Sequence, residues 1–317
     1  MRKAIEGFAG QFRYEPVIEQ KKNLKKATSF LLAGMGGSHL ASEIIQAWNP
    51  LSRIKTWSDY GLPEVEKTCL VILSSYSGNT EETISAYKEA VKRKLNKAVI
   101  STGGKLIELA KKDGTPYIKL PATGIQPRSA LGFSVRAVLC LMGEEKGLRE
   151  LRALGKTLNP KNDEDEGRRL AGETKGCVPV IYASRKNSGI AYNWKIKLNE
   201  TGKIPAFCNV LPELNHNEMT GFDRKPSSKK LSENFFFLLL KDKKDNQKIQ
   251  KRMEILERLY KERGLKVKQI PLRGKSVFEK IFSSLLLADW IALYTAEGYG
   301  LEAEEVPMVE EFKKLMA

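Results

Sequence analysis

The 317-residue chain reads as an α/β protein with two similar halves, each a mostly parallel β-sheet sandwiched between helices. Three observations predict this. Short apolar strands alternate with helical patterns along most of the chain, which implies βα units covered on both faces. Two strands run directly into small-residue turns that open a helix. A second alternating series begins after a charged, glycine-spotted stretch at 143–176, which reads as a helical linker. The boundary is therefore placed near residue 150, giving domains 1–150 and 151–317.

Taken in order, residues 1–28 read as a polar, partly amphipathic helical lead-in. Phe30-Leu31-Leu32-Ala33 is a strand, followed by Gly34-Met35-Gly36-Gly37-Ser38 and a helical pattern from His39 to Trp48. The third glycine of a dinucleotide fingerprint is missing, since position 39 is His, and an NAD site is not expected. Gly36 and Gly37 instead let backbone approach a ligand closely, with Ser38 as a donor. Ile54–Trp57 is a strand. Cys69–Leu73 is a strand leading into Ser74-Ser75-Tyr76-Ser77-Gly78-Asn79-Thr80-Glu81-Glu82-Thr83 and a helix from Ile84 to Lys94. Strands at 98–101 and 117–120 flank a helix at 106–112, and a loop from Pro121 to Pro127 precedes a helix at 130–142. The second series has strands at 178–183, 235–240 and 266–270, with helices at 190–198, 246–263 and 276–297.

The serine-rich turn lies at a helix N-terminus, where backbone N–H groups lack intrahelical partners and the dipole is positive. Ser75, Ser77 and Thr80 add hydroxyls. Capping alone, by Ser77 or Asn79, needs one hydroxyl. The surplus points to a bound phosphate.

Composition narrows the classes. No apolar run approaches the roughly 20 residues of a membrane helix, and the N-terminus lacks the apolar core of a signal peptide. A soluble, cytoplasmic protein is expected. Cys69, Cys140, Cys177 and Cys208 are far apart and never form CxxC, so free thiols are expected rather than zinc ligation or disulfides. With only His39 and His216 available, no histidine-rich metal site is expected. The net charge of +16 is spread among lysines interleaved with acids, as in Lys261-Glu262-Arg263. That pattern favours a solvated surface attracting anionic small molecules over nucleic-acid binding.

Three further clusters stand out: Pro127-Arg128-Ser129, Lys197-Leu198-Asn199-Glu200-Thr201-Gly202-Lys203-Ile204-Pro205-Ala206-Phe207 and Leu211-Pro212-Glu213-Leu214-Asn215-His216-Asn217-Glu218-Met219. In this order and spacing, with the two turns, they resemble the bifunctional phosphoglucose/phosphomannose isomerases of the sugar isomerase (SIS) domain superfamily. The resemblance covers nearly the whole chain. It implies two SIS domains and a homodimer with shared active sites acting on hexose 6-phosphates. Phosphate would be held by Gly37, Ser38, Ser75, Ser77 and Thr80. Glu200 would move the proton between C2 and C1, and Arg128 would stand beside the enediolate. His216, from the partner subunit, would take part in ring opening, as would Lys313 in Val309-Glu310-Glu311-Phe312-Lys313, although Lys314 competes for that register. The chemistry is coherent with these side chains. Ring opening needs an acid and a base, and the transfer needs a carboxylate and a nearby positive charge. It requires no metal or redox cofactor.

Two other readings share the phosphate turn. A sugar-phosphate-binding regulator would carry a DNA-binding module, for which residues 1–28 are few. The isomerase part of a glucosamine-phosphate synthase would carry a glutaminase with a Cys nucleophile, and the first Cys is Cys69.

Overall fold

Every strand expected from the sequence is present in the computed structural model, which describes residues 1–316. The chain divides into two units, one spanning Glu6–Asn159 and the other formed by Met1–Ile5 with the chain from Pro160 onward. The lead-in is not one helix. After α1 (Arg2–Glu6) it continues as short 3₁₀ segments at Phe8–Arg13 and Lys21–Asn23, because Gly7, Gly10 and Pro16 interrupt any helical run.

In the unit Glu6–Asn159, five parallel strands are ordered β2-β1-β3-β4-β5: β1 (Ser29–Ala33), β2 (Ile54–Trp57), β3 (Cys69–Ser74), β4 (Lys97–Ser101) and β5 (Tyr117–Lys119). The central strand β3 is buried along its length, which explains its unbroken apolar run. The helices are α2 (Leu40–Trp48), α3 (Glu81–Lys92), α4 (Gly104–Lys112), α5 (Leu131–Met142) and α6 (Glu145–Thr157). Val71, Leu73 and Val99 pack against Ala86, Tyr87, Leu106 and Ala110 of α3 and α4, while α2 and α5 pack together and against the sheet.

The stretch after 143 is therefore not a linker. Leu151 and Leu154 are buried on one face of α6, and a Cβ on Gly155 would lie 3.0 Å from that of Phe12. The charged residues of α6 occupy its outer face and mask the amphipathic pattern. The division falls between Asn159 and Pro160 instead of near residue 150.

The other unit has four parallel strands in the order β7-β6-β8-β9: β6 (Val178–Ser184), β7 (Phe207–Leu211), β8 (Phe235–Lys241) and β9 (Lys266–Pro271). Strand β7 has no clear sequence signal. It is an edge strand whose first residue, Phe207, is 53% exposed. The helices are α7 (Glu164–Thr174), α8 (Ser188–Glu200), α9 (Glu218–Gly221), α10 (Gln247–Glu262), α11 (Val277–Gly298) and α12 (Pro307–Met316). Tyr182, Phe237 and Leu239 pack on Met253, Leu256 and Tyr260 of α10. Helices α8 and α11 pack together, with α8 against β6. Helix α11 is buried from Phe278 to Ala296 apart from Glu279 and Ser283, and α7 reaches it through Gly167, where a Cβ would stand 2.4 Å from the Trp290 Cβ.

In each sheet the strand order reverses once, between β1 and β3 and between β6 and β8. Crevices at such switch points, beyond the carboxyl ends of the strands, are the usual ligand sites of open α/β sheets.

Candidate active site

The glycine and serine turns meet at the β1/β3 switch point. Glycine is required there for space: a Cβ on Gly34 would lie 2.6 Å from the Ser74 carbonyl oxygen, and one on Gly37 would lie 2.6 Å from the Arg128 backbone nitrogen. Gly78, at φ +75°, backs onto Gly103 so closely that a Cβ would overlap its carbonyl oxygen. The turns are also tied by hydroxyls. The Tyr76 N–H donates to Ser38 Oγ at 3.0 Å, the Gly78 N–H donates to Ser75 Oγ at 3.0 Å, and Ser75 Oγ and Thr80 Oγ1 share a hydrogen bond of 2.8 Å.

Thr80 is the N-cap of α3, and its side chain makes no capping bond. Ser77 Oγ accepts from the Asn79 N–H at 3.3 Å, and Asn79 Oδ1 accepts from the Lys105 N–H at 3.0 Å, at the start of α4. The side chains expected to cap α3 are committed elsewhere, leaving its first-turn N–H groups to solvent or a ligand. Ser77 is exposed, Thr80 half-buried, and Ser38 and Ser75 buried. Arg128 stands in the same cluster, in a 3₁₀ turn at Pro127–Ser129, and is 2% exposed. That turn is pinned by Gln11, whose Nε2 donates to the Ser129 carbonyl at 2.7 Å and whose Oε1 accepts from the Gly132 N–H at 2.9 Å. Gly37, Ser38, Ser75, Ser77, Thr80 and Arg128 thus share one neighbourhood able to receive an oxyanion.

The remaining expected residues belong to the other unit. Glu200 is the last residue of α8 and is half-buried. One turn earlier, Lys197 Nζ donates to Asp289 Oδ1 of α11 at 2.6 Å, with both residues under 5% exposed. The turn after Glu200 is tight: Asn199 Nδ2 donates to the Ile204 carbonyl at 3.0 Å, and Lys203 Nζ donates to the carbonyls of Glu200 and Glu305. His216 lies in a 3₁₀ turn, Glu213–His216, after β7 and is exposed. Lys313 lies on α12, where it pairs with Glu310 at 2.7 Å; Lys314 beside it is exposed as well.

Sequence reasoning missed the groups that brace these residues. Lys197 opens one of the clusters named above, but its partner Asp289 is far away in the chain, and its one signal is a lone acid inside Leu285-Leu286-Leu287-Ala288-Asp289-Trp290-Ile291. Asn209, on the strand that was not foreseen, donates to Glu218.

The second switch point is occupied by the protein's own side chains. Ser184 Oγ donates to Asp245 Oδ1 at 2.9 Å, Asn187 Nδ2 donates to Ser184 Oγ at 2.9 Å and to Asp242 Oδ2 at 3.3 Å, and Lys280 Nζ donates to Asp242. Among the described residues, no group of three or more His, Cys, Asp or Glu is arranged to hold a metal ion.

Residues 163–316 match the family described as the bacterial phospho-glucose isomerase C-terminal SIS domain. A bifunctional phosphoglucose/phosphomannose isomerase of Aquifex aeolicus is 33% identical, over 98% of this chain and 97% of its own. One from Caldicellulosiruptor bescii is 34% identical, over 90% of this chain and 89% of its own. Among solved structures, a hypothetical protein from Thermus thermophilus superposes with a TM-score of 0.70 at 17% identity, covering 99% of this chain and 89% of that one.

Proposed function

The chain belongs to the bifunctional phosphoglucose/phosphomannose isomerase family, and from that premise we propose that it interconverts glucose 6-phosphate and mannose 6-phosphate with fructose 6-phosphate through an enediol. The observation that carries this reading is the uncapped, hydroxyl-lined N-terminus of α3 at the β1/β3 switch point. Backbone N–H groups of α3, with Ser38, Ser75, Ser77, Thr80 and the close-packed Gly37, hold the phosphate. Arg128, buried in the same cluster, supplies fixed positive charge to the enediolate oxygen. Such preorganised charge acts most strongly where water is excluded.

Glu200 takes the proton from C2 and returns it to C1. Glucose and mannose phosphates differ at C2 and share one enediol, so one carboxylate serves both. Ring opening requires an acid and a base, the roles assigned to His216 and Lys313. The enzyme works as a homodimer in which His216 serves the partner's site; exposure of His216 in a single chain supports this arrangement. No helix among the described residues is long and apolar enough to cross a membrane. The four free cysteines support a reducing, cytoplasmic setting.

The test is to incubate the purified protein with fructose 6-phosphate and EDTA and follow the products by NMR. Glucose and mannose 6-phosphates are expected. Unchanged fructose 6-phosphate would favour a sugar-phosphate-binding protein without turnover.

A further inference from the structure

The loop that carries His216 is held from beneath by a carboxylate with no part in the chemistry above. Glu218 lies two residues beyond His216 and turns toward the sheet. Tyr182 of β6 donates its hydroxyl to Glu218 Oε1, and Asn209 of β7 donates its amide to Oε2. Each carboxylate oxygen thus meets a donor from a different, adjacent strand, and hydrogen bonds to an ionised acceptor are roughly twice as strong as neutral ones. Tyr182 is fully buried. Burial, with Tyr260 and Glu218 nearby, pushes its ionisation far above the ordinary tyrosine range, so it remains a donor at every working pH.

The rest of the loop is fastened residue by residue. Leu214 is fully buried in the core beside Tyr182 and Tyr260. Arg252 Nη1 donates to Asn215 Oδ1 at 3.3 Å. Asn217 donates to Glu213 Oε1 at 2.9 Å and accepts from the Glu218 N–H at 2.6 Å. The His216 side chain, between these anchors, is exposed. A loop on an edge strand is ordinarily among the least stable parts of a fold, and this one is bonded inward on both sides of a single titratable ring.

We propose that Glu218 is the positioning residue for His216: its carboxylate, clamped by Tyr182 and Asn209, fixes the backbone from which the His216 ring projects. The proposal rests on the reading of His216 as a ring-opening group. Glu218 acts through His216 and does not touch substrate, so its loss lowers turnover without weakening phosphate binding.

A double-mutant cycle tests it. Glu218→Ala should lower kcat at least about tenfold while KM for fructose 6-phosphate stays within about twofold, since angular and sub-ångström errors in a catalytic group are costly. Glu218→Gln, which keeps the volume and one acceptor, should recover part of that loss. In a His216→Ala background, Glu218→Ala should cost less than about twofold more, because coupled residues are not additive. If Glu218→Ala does not fold, as judged by circular dichroism and melting, Tyr182→Phe replaces it in the same cycle. The same loss in both backgrounds, or a loss in KM alone, overturns the positioning role. If His216→Ala itself turns over like wild type, the role assigned to His216 fails and this proposal fails with it.

Discussion

Gly37→Ala adds one carbon at the point where the first turn touches the Arg128 turn, and the structure sets its cost. The new Cβ would lie 2.6 Å from the Arg128 backbone nitrogen, 2.7 Å from the Pro127 carbonyl carbon and 3.0 Å from the Pro127 oxygen, against 3.4 Å or more for ordinary contact. The two turns must separate by about 0.8 Å to relieve the shortest of these, a shortfall on the scale that core overpacking resists. Neither side can give easily. All three atoms are backbone, and Gln11 pins the Arg128 turn through two hydrogen bonds. Overpacking of this kind costs about 1–3 kcal/mol, a fall in melting temperature of several degrees for a unit of this size, at about 2–4 °C per kcal/mol. The functional cost is larger, because Arg128 moves with its turn, and a misplacement near 1 Å costs on the order of 100-fold. The assay is conversion of fructose 6-phosphate to glucose 6-phosphate, detected through a coupled dehydrogenase, alongside a thermal melt. Wild-type melting together with wild-type kcat/KM would refute the view that this close approach sets the geometry of the site. A lower melting temperature with unchanged kcat/KM would confine its role to stability.

Other outcomes follow from the same geometry. Ser77→Ala with Thr80→Ala should raise KM for hexose phosphates strongly, and an unchanged KM would remove the phosphate assignment. Glu200→Gln should lose at least the roughly 100-fold expected of a general base; in D2O, wild type should place deuterium at C1 of fructose 6-phosphate, and the variant should not. Mixing inactive Glu200→Gln and His216→Ala protomers should restore part of the activity if sites are shared, whereas no recovery after verified subunit exchange argues against sharing. Asp163, at the start of α7, has its carboxyl pushed up to about 6 by burial, with Glu166 adding to the shift and Arg273 opposing it. The folded state therefore holds this proton more tightly than the unfolded chain, and stability falls as pH rises from about 4 through about 6. Asp163→Asn should raise the melting temperature at pH 7.5 and change it little at pH 4; equal shifts at both would contradict the burial.

The strands were legible because each is a short apolar run between turn residues, and the central β3 is apolar on both faces. The serine-rich turn was legible as a turn because its residues are contiguous and lie between the apolar strand β3 and the helical pattern of α3. Strand β7 escaped notice because an edge strand that is half-exposed mixes Phe207, Cys208, Asn209 and Val210 without a clean alternation. The segment of α6 reads as helical linker in the sequence because only Gly147, Leu151, Leu154 and Gly155 are buried along it, too sparse a stripe to stand out among its charges. The pairs Lys197–Asp289 and Tyr182–Glu218 could not be read at all. Their partners are brought together by packing of α8 on α11 and by the β6–β7 edge, and no local pattern encodes a contact across that much chain.

Similar topology in the two sheets does not give them the same chemistry, and the switch points explain why. Beyond β1 and β3 lie glycines without side chains and hydroxyls that can still donate. Beyond β6 and β8 the corresponding crevice holds Asp242 and Asp245. Burial alone would raise the Asp242 carboxyl, but Lys280, the Lys244 N–H and Asn187 hold it below the ordinary range, so it is ionised at neutral pH. Burial raises Asp245, and the Asp242 charge raises it further. A phosphate entering there would lose water, meet fixed negative charge at low dielectric and have to displace Lys280 from its carboxylate. Removing Lys280 would not open the site, since it would leave the buried Asp242 carboxylate with only the more distant Lys186 at 4.0 Å as a cation, and breaking a buried pair typically costs several kcal/mol. The crevice in this unit is thus committed to holding β6, β8 and α11 together, while the crevice beyond β1 and β3 remains available to an anion.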